Sequence, residues 1–267
     1  MNDANNTADP PGGTTVDGFL GGTFALVQAR RGAHRCGSDA ILLAATVPTG
    51  ASGRVVDLGS GPGAAGFAVA CRGEAAVTLV DCDPESLALA AESCVLPENA
   101  SFAKRIAMCR ADVAGPSAPF VDAGLRAASV DRVIANPPYF SPAGHRTPPS
   151  AGRAQARMLS EAGLEPWIRR AAFLLRPSGM LHLILTTALV PDLLTVVQGR
   201  FGGVDLMPVH ARADTTADRV LVRAIKGSRA SLRFLPPIVM HEADGSYSAR
   251  ATEILRAGQE IAWLPRR

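Results

Sequence analysis

Val55-Val56-Asp57-Leu58-Gly59-Ser60-Gly61-Pro62-Gly63-Ala64-Ala65-Gly66 is the stretch whose reading decides the fold. Its apolar, β-branched start reads as the end of a strand. Its glycines open backbone conformations that other residues avoid, and its alanines begin a helix. The neighbouring sequence repeats this alternation. Arg54 to Leu58 is followed by a helix from Ala64 to Cys71, a strand from Ala76 to Asp81, and a helix from Pro84 to Cys94. A weaker strand near Ile106 to Arg110 and another at Val130 to Ala135 come next. The rhythm continues with a helix from Leu164 to Leu175, a turn at Pro177-Ser178-Gly179, a strand from Met180 to Thr186 and a helix near Pro191 to Gly199. Strands separated by helices of this size require βαβ crossovers, so the expected class is α/β with a Rossmann-like, mostly parallel sheet. Candidate strands Val204 to Val209 and Arg219 to Ile225 have no helix between them and predict an antiparallel hairpin at the sheet edge.

The remaining sequence sets the boundaries. Met1 to Gly18 is polar and carries neither Lys, Arg nor an apolar core, so it is expected to be a disordered tail and not a signal peptide. A single domain over 19–260 follows. Its N-terminal extension, 19–50, is expected on the substrate side and its core over 51–260. In the extension, Thr23 to Gln28 predicts one arm of a hairpin, and Ala40 to Ala45 a helix capped by Ser38 or Asp39 and stopped by Pro48. The longest apolar run, Leu181 to Val190, is well below the roughly 18 to 20 residues that span a bilayer, and a cytoplasmic location is expected. Five cysteines with no C-x-x-C pair predict reduced thiols and no metal site. The net charge of +3 is too weak to imply nucleic acid by itself. Of the 27 basic residues only Lys104 and Lys226 are lysines, which fits a GC-rich genome as well as selection for phosphate recognition.

Gly61-x-Gly63-x-x-Gly66 matches a dinucleotide fingerprint, and Asp81 stands 20 residues beyond Gly61, where a carboxylate accepts from ribose hydroxyls. Glycines after a strand also serve tight turns. Asp57 discriminates by charge: beside the loop it would repel a pyrophosphate and attract the ammonium of a methionine moiety. Asp81, Cys82 and Asp83 form a second acidic strand end, with Asp83 assigned to capping the helix that begins at Pro84. Asp112 suits an adenine amino group, or equally the start of a polar loop.

Asn136-Pro137-Pro138-Tyr139-Phe140 follows a strand end. Two prolines stiffen the turn and remove N–H groups, so the Asn136 side-chain oxygen and the Pro137 carbonyl can both accept from one NH₂. A conjugated amine or amide nitrogen is a poor nucleophile. Binding both its hydrogens localises the lone pair during attack on a methyl sulfonium, without a tuned general base. Tyr139 would stack on a flat substrate with Phe140 beside it. Ser141 to Gly152 is a Pro/Gly/Ser-rich loop long enough to carry function.

With these residues in view, the chain resembles the NPPY-type S-adenosylmethionine (AdoMet)-dependent methyltransferases. More narrowly, it is similar to the bacterial tRNA-valine adenine-N6 methyltransferase family through Gly37-Ser38-Asp39-Ala40-Ile41-Leu42-Leu43, Asn136 to Phe140, and Pro236 to Tyr247. The resemblance implies a seven-stranded sheet with an antiparallel last strand and methylation of adenine N6 in tRNA. It further implies AdoMet bound by Asp57, Gly59, Gly61, Asp81, Cys82 and Asp112, and catalysis by Asn136, Pro137, Pro138 and Tyr139. The substrate would be met by Phe140 and by basic residues flanking the site, Arg31, Arg35, Arg153 and Arg157. Arg219, Arg223, Lys226, Arg229 and Arg233 near the C-terminus could also touch RNA, with solvated surface charge as their default; Arg169-Arg170 are read as surface charge, and His182 as a satisfied core histidine. A glutamine amide or another exocyclic nucleic-acid amine would fit the same acceptor pair. A non-catalytic RNA-binding module and an NAD oxidoreductase are the readings from other classes.

Overall fold

A computed structural model describes residues 13–29, 37–138 and 163–266. The described chain opens with a hairpin of β1 (Thr14–Phe19) and β2 (Phe24–Ala29), paired antiparallel. The structureless tail expected through Gly18 is thus corrected from Thr14 onward. β1 lacks an apolar signal because backbone pairing to the buried β2 holds it, with its own side chains half-buried or exposed. The opposite edge of β2 is satisfied by side chains. Asn99 Oδ1 accepts from the Ala25 N–H at 3.1 Å, and Ser93 Oγ from the Val27 N–H at 2.9 Å. The buried edge strand therefore leaves neither N–H unpaired.

The central sheet contains β3 (Arg54–Leu58), β4 (Ala76–Asp81), β5 (Ile106–Arg110), β6 (Val130–Ala135), β7 (Leu175–Thr186), β8 (Phe201–His210) and β9 (Ala217–Lys226). Their order is β5-β4-β3-β6-β7-β9-β8. Only β9 runs against its neighbours, inserted between β7 and β8, as the seven-stranded expectation requires. Two further two-residue strands, β10 (Arg233–Phe234) and β11 (Ile238–Val239), extend the edge parallel to β8. β7 is longer than predicted because the Pro177-Ser178-Gly179 turn is absorbed into it. There Ser178 takes φ 63° and the register with β6 shifts between Val130 and Arg132.

Helices cover both faces. α1 (Ser38–Ala45), α2 (Ala64–Cys71), α3 (Pro84–Cys94) and the C-terminal helix over Ala249–Ala257 pack with Phe24, Phe67 and Leu79 in one core. α4 (Ala118–Asp122) and α5 (Glu165–Leu174), together with α6 (Val190–Val196), pack around Phe120, Trp167 and Leu206 in the other. Val55 belongs to the first core and Val56 to the second, so a strand covered on both faces reads as continuously apolar. Arg72 joins three segments of the first layer, donating to the Gly258, Ala44 and Val47 carbonyls. No helix among the described residues is long and apolar enough to cross a membrane.

Candidate functional site

The β3 chain turns at Gly59, Gly61 and Gly63, with φ of 67°, 53° and 96°. Each has its own reason to be glycine. A Cβ on Gly59 would lie 2.5 Å from Trp167 Cη2, whereas a Cβ on Gly61 would meet nothing within 4 Å and would project into open space. Asp57, 2% exposed, accepts the Gly66 N–H at 2.9 Å and so fixes the start of α2 to the end of β3. Burial pushes its carboxyl up to about 7; the Gly66 N–H opposes the shift and the Asp81 charge adds to it.

Asp81 closes the loop from β4, accepting the Gly61 N–H at 2.7 Å and the Asp83 N–H at 2.9 Å. A carboxylate has about four acceptor positions, so two backbone bonds leave capacity for a ligand. Asp83 caps α3 through the Glu85 and Ser86 N–H groups, at 3.1 and 3.2 Å. Asp112 is exposed and accepts the Ala114 N–H at 2.9 Å, which begins a turn while its side chain still borders the site.

Two adjoining cavities meet over the glycine loop. The first, about 250 Å³, is walled by the loop, by Asp81 and Cys82, by Ala111 to Val113, by Asn136 to Pro138 and by Trp167. The second, about 470 Å³, lies between the start of α1, the loop, the first turn of α2 and Arg219. Gly59, Gly61 and Asn136 border both. Asp57, Gly59, Gly61, Asp81, Cys82, Asp112, Asn136, Pro137 and Pro138 are therefore gathered around one connected space. Tyr139, Phe140, Arg31, Arg35, Arg153 and Arg157 lie outside the described residues. The β1–β2 hairpin lines neither cavity and packs against α2 and α3. Within the extension expected on the substrate side, the described residues that reach the cavities belong to the start of α1.

Several neighbours were not anticipated. Trp167 forms a wall of the first cavity, and its buried indole Nε1 has no hydrogen-bond partner among the described residues. Arg170 is buried, which corrects its reading as surface charge. It donates to the Val113 and Gly115 carbonyls at 3.2 and 2.6 Å and to Ser117 Oγ at 2.9 Å, with its guanidinium 4.1 Å from the Phe120 ring centre. Burial lowers its pKa. Ser38 and Asp39 do not cap α1, whose N-cap is Gly37. Asp39 instead accepts from Arg219 Nε at 3.0 Å. His182 is buried, but neither ring nitrogen has a partner among the described residues, so it is not the satisfied histidine expected.

A family model described as "Methyltransferase small domain" matches residues 33–207, spanning the glycine loop, the acidic strand ends and the Asn-Pro-Pro turn. The chain belongs to the methyltransferase small domain family. The tRNA1(Val) (adenine(37)-N6)-methyltransferase of Pectobacterium carotovorum is 32% identical to it, covering 77% of this chain and 79% of that protein. The enzyme of the same name from Aeromonas salmonicida is 28% identical, over 85% of this chain and 91% of that one. A solved structure of a predicted O-methyltransferase from Agrobacterium tumefaciens superposes with a TM-score of 0.71 at 36% identity, covering 84% of this chain and 99% of that one. This methyltransferase is AdoMet-dependent. The residues present fit such a ligand. The open space over Gly61 is a cradle that a Cβ would fill, and carboxylates of two strand ends border the cavities.

Proposed function

We propose that this methyltransferase transfers a methyl group to the N6 amine of an adenine in tRNA. The observation that carries the reading is the position of Asn136. It follows β6 directly, shares both cavities with the glycine loop, and is followed by the buried Pro137. In this reading the first cavity takes the adenosine of AdoMet. Asp81 accepts from its ribose, Asp112 from its adenine amine, and Ala111, Cys82 and Val113 flank the ring. AdoMet supplies an electrophilic methyl on a sulfonium. The Asn136 side-chain oxygen and the Pro137 carbonyl accept the two hydrogens of the target amine and aim its lone pair at that methyl. The new N–C bond forms as the C–S bond breaks, and the methylated nitrogen then releases one proton to solvent. Tyr139 stacks on the target base and Phe140 supports it, while Arg31, Arg35, Arg153 and Arg157 meet RNA phosphates. The two relatives named for tRNA adenine methylation support this choice of acceptor.

The acceptor-bond account makes Asn136 the sensitive position. Asn136→Ala should lower kcat by about 10²- to 10³-fold, the scale for one lost transition-state hydrogen bond, while AdoMet binding persists. Mass spectrometry of tRNA nucleosides from a deletion strain complemented with either form tests substrate and chemistry together. N6-methyladenosine should disappear on deletion and return only with the Asn136 form. Unchanged N6-methyladenosine would reject the assignment. Label transferred to a ribonuclease-resistant, proteinase-sensitive product would install a glutamine amide as the acceptor instead.

A further inference from the structure

The second cavity poses a charge problem that the adenosine site does not answer. Among the described residues its charged borders are Asp39, Asp57 and Arg219, and Arg219 is the one cationic side chain of them lining either cavity. Arg219 comes from β9, the reversed strand, 180 positions along the chain from its partner Asp39 in the first turn of α1. The pair is half-buried, with side chains 31% and 26% exposed, and the Arg219 Nε to Asp39 Oδ2 distance is 3.0 Å. Arg219 Nη1 also donates to the Asp218 carbonyl at 3.3 Å, and a long cation held through its Nε by a carboxylate is pre-oriented, which lowers the entropy it loses on gripping an anion. The amino-acid end of AdoMet is a zwitterion, and a site that excludes water must answer both charges. Asp57 can answer the ammonium. A carboxylate beside Asp57 and Asp39 would be repelled unless a cation were built in.

We propose that Arg219, oriented by Asp39, binds the α-carboxylate of the cofactor in the second cavity. This rests on the AdoMet reading and is independent of the tRNA assignment. It moves Arg219 from surface charge to a ligand-binding residue and makes Asp39 a positioning residue. It also gives the insertion of β9 between β7 and β8 a functional consequence, because that topology delivers the cation to the glycine loop.

Two ligands isolate the carboxylate. S-Adenosylhomocysteine has the amino-acid end, while 5′-methylthioadenosine keeps the adenosine and thioether without it. Calorimetry on the full chain should show Arg219→Ala weakening S-adenosylhomocysteine binding about 10- to 100-fold, the range for a charge-assisted hydrogen bond. Affinity for 5′-methylthioadenosine should be unchanged, which also establishes that the variant is folded. Arg219→Lys should keep part of the affinity, and Asp39→Asn should weaken only the longer ligand, by a smaller factor. Equal weakening of both ligands by Arg219→Ala would assign the arginine to the scaffold, and no weakening of either would overturn the proposal. Loss of RNA affinity alone would place Arg219 on the acceptor side and overturn it as well. If the wild-type chain bound neither nucleoside, the AdoMet reading itself would fail, an outcome distinct from all of these.

Discussion

Asp57 meets two demands that oppose each other. Its buried carboxylate ties Gly66 to the strand end, yet burial raises its pKa to about 7, so near neutrality it is only partly ionised. A ligand ammonium nearby would favour the charged form. Asp57→Asn keeps an oxygen to accept the Gly66 N–H and removes the charge. It should weaken S-adenosylhomocysteine by about tenfold or more above pH 7, with a smaller difference from wild type at pH 5.5, where both side chains are neutral. Titration calorimetry at the two pH values checks this, and an equal loss at both would mean the carboxylate acts by shape alone. At this scale, legibility follows sequence distance. The Asp83 cap could be read because its partners are two and three residues away. Arg219 could not, because its place depends on where β9 enters the sheet.

Among the elements, α5 is the least conventional. The Arg169-Arg170 pair looks like an exposed helix face, but Arg170 turns inward and holds the 113–117 turn through three bonds. That turn carries Val113, a wall of the first cavity, while Trp167 one turn earlier on the same helix forms another. One helix therefore sets two walls of the proposed adenosine site. Arg170→Met retains the aliphatic stem over Phe120 and deletes the donors. It should cost about 2 kcal/mol of stability and raise hydrogen exchange in residues 113–117, leaving the β1–β2 hairpin unchanged. Exchange measured by mass spectrometry separates this local loosening from global unfolding, and uniform acceleration would refute it. Helices α2 and α3 were readable to the residue because alanine runs, Pro84 and the preceding turns mark their limits locally. β1 and the short strands β10 and β11 carry no such mark, since pairing partners supply their order.

For the whole molecule, burying ionisable groups on both sides of neutrality gives pH dependences of opposite sign. Asp57 has a folded pKa of about 7 against an ordinary 3.8, so the folded state binds more protons than the unfolded state between those values. Its contribution to stability is full below about 3.8 and is lost as pH rises through 7. His182 is the reverse. Burial, reinforced by the charges of Arg132 and Arg223, lowers it from 6.5 to about 3, so the unfolded state binds the proton first and stability is lost as pH falls from 6.5 toward 3. The windows overlap, and inside them each group changes stability by about 1.4 kcal/mol per pH unit in opposite directions. The two effects should nearly cancel in the wild type between pH 4 and 6.5. Single substitutions expose each one. Asp57→Asn should become acid-sensitive, losing stability as pH falls through this range, whereas His182→Phe should gain stability over the same fall. The double variant should recover a shallow profile. Urea midpoints of the unliganded chain measured across that range check all four proteins. Parallel wild-type and Asp57→Asn profiles would show that Asp57 is not held protonated in the fold. Parallel wild-type and His182→Phe profiles would mean that water reaches the histidine and that it titrates much as it does in the unfolded chain.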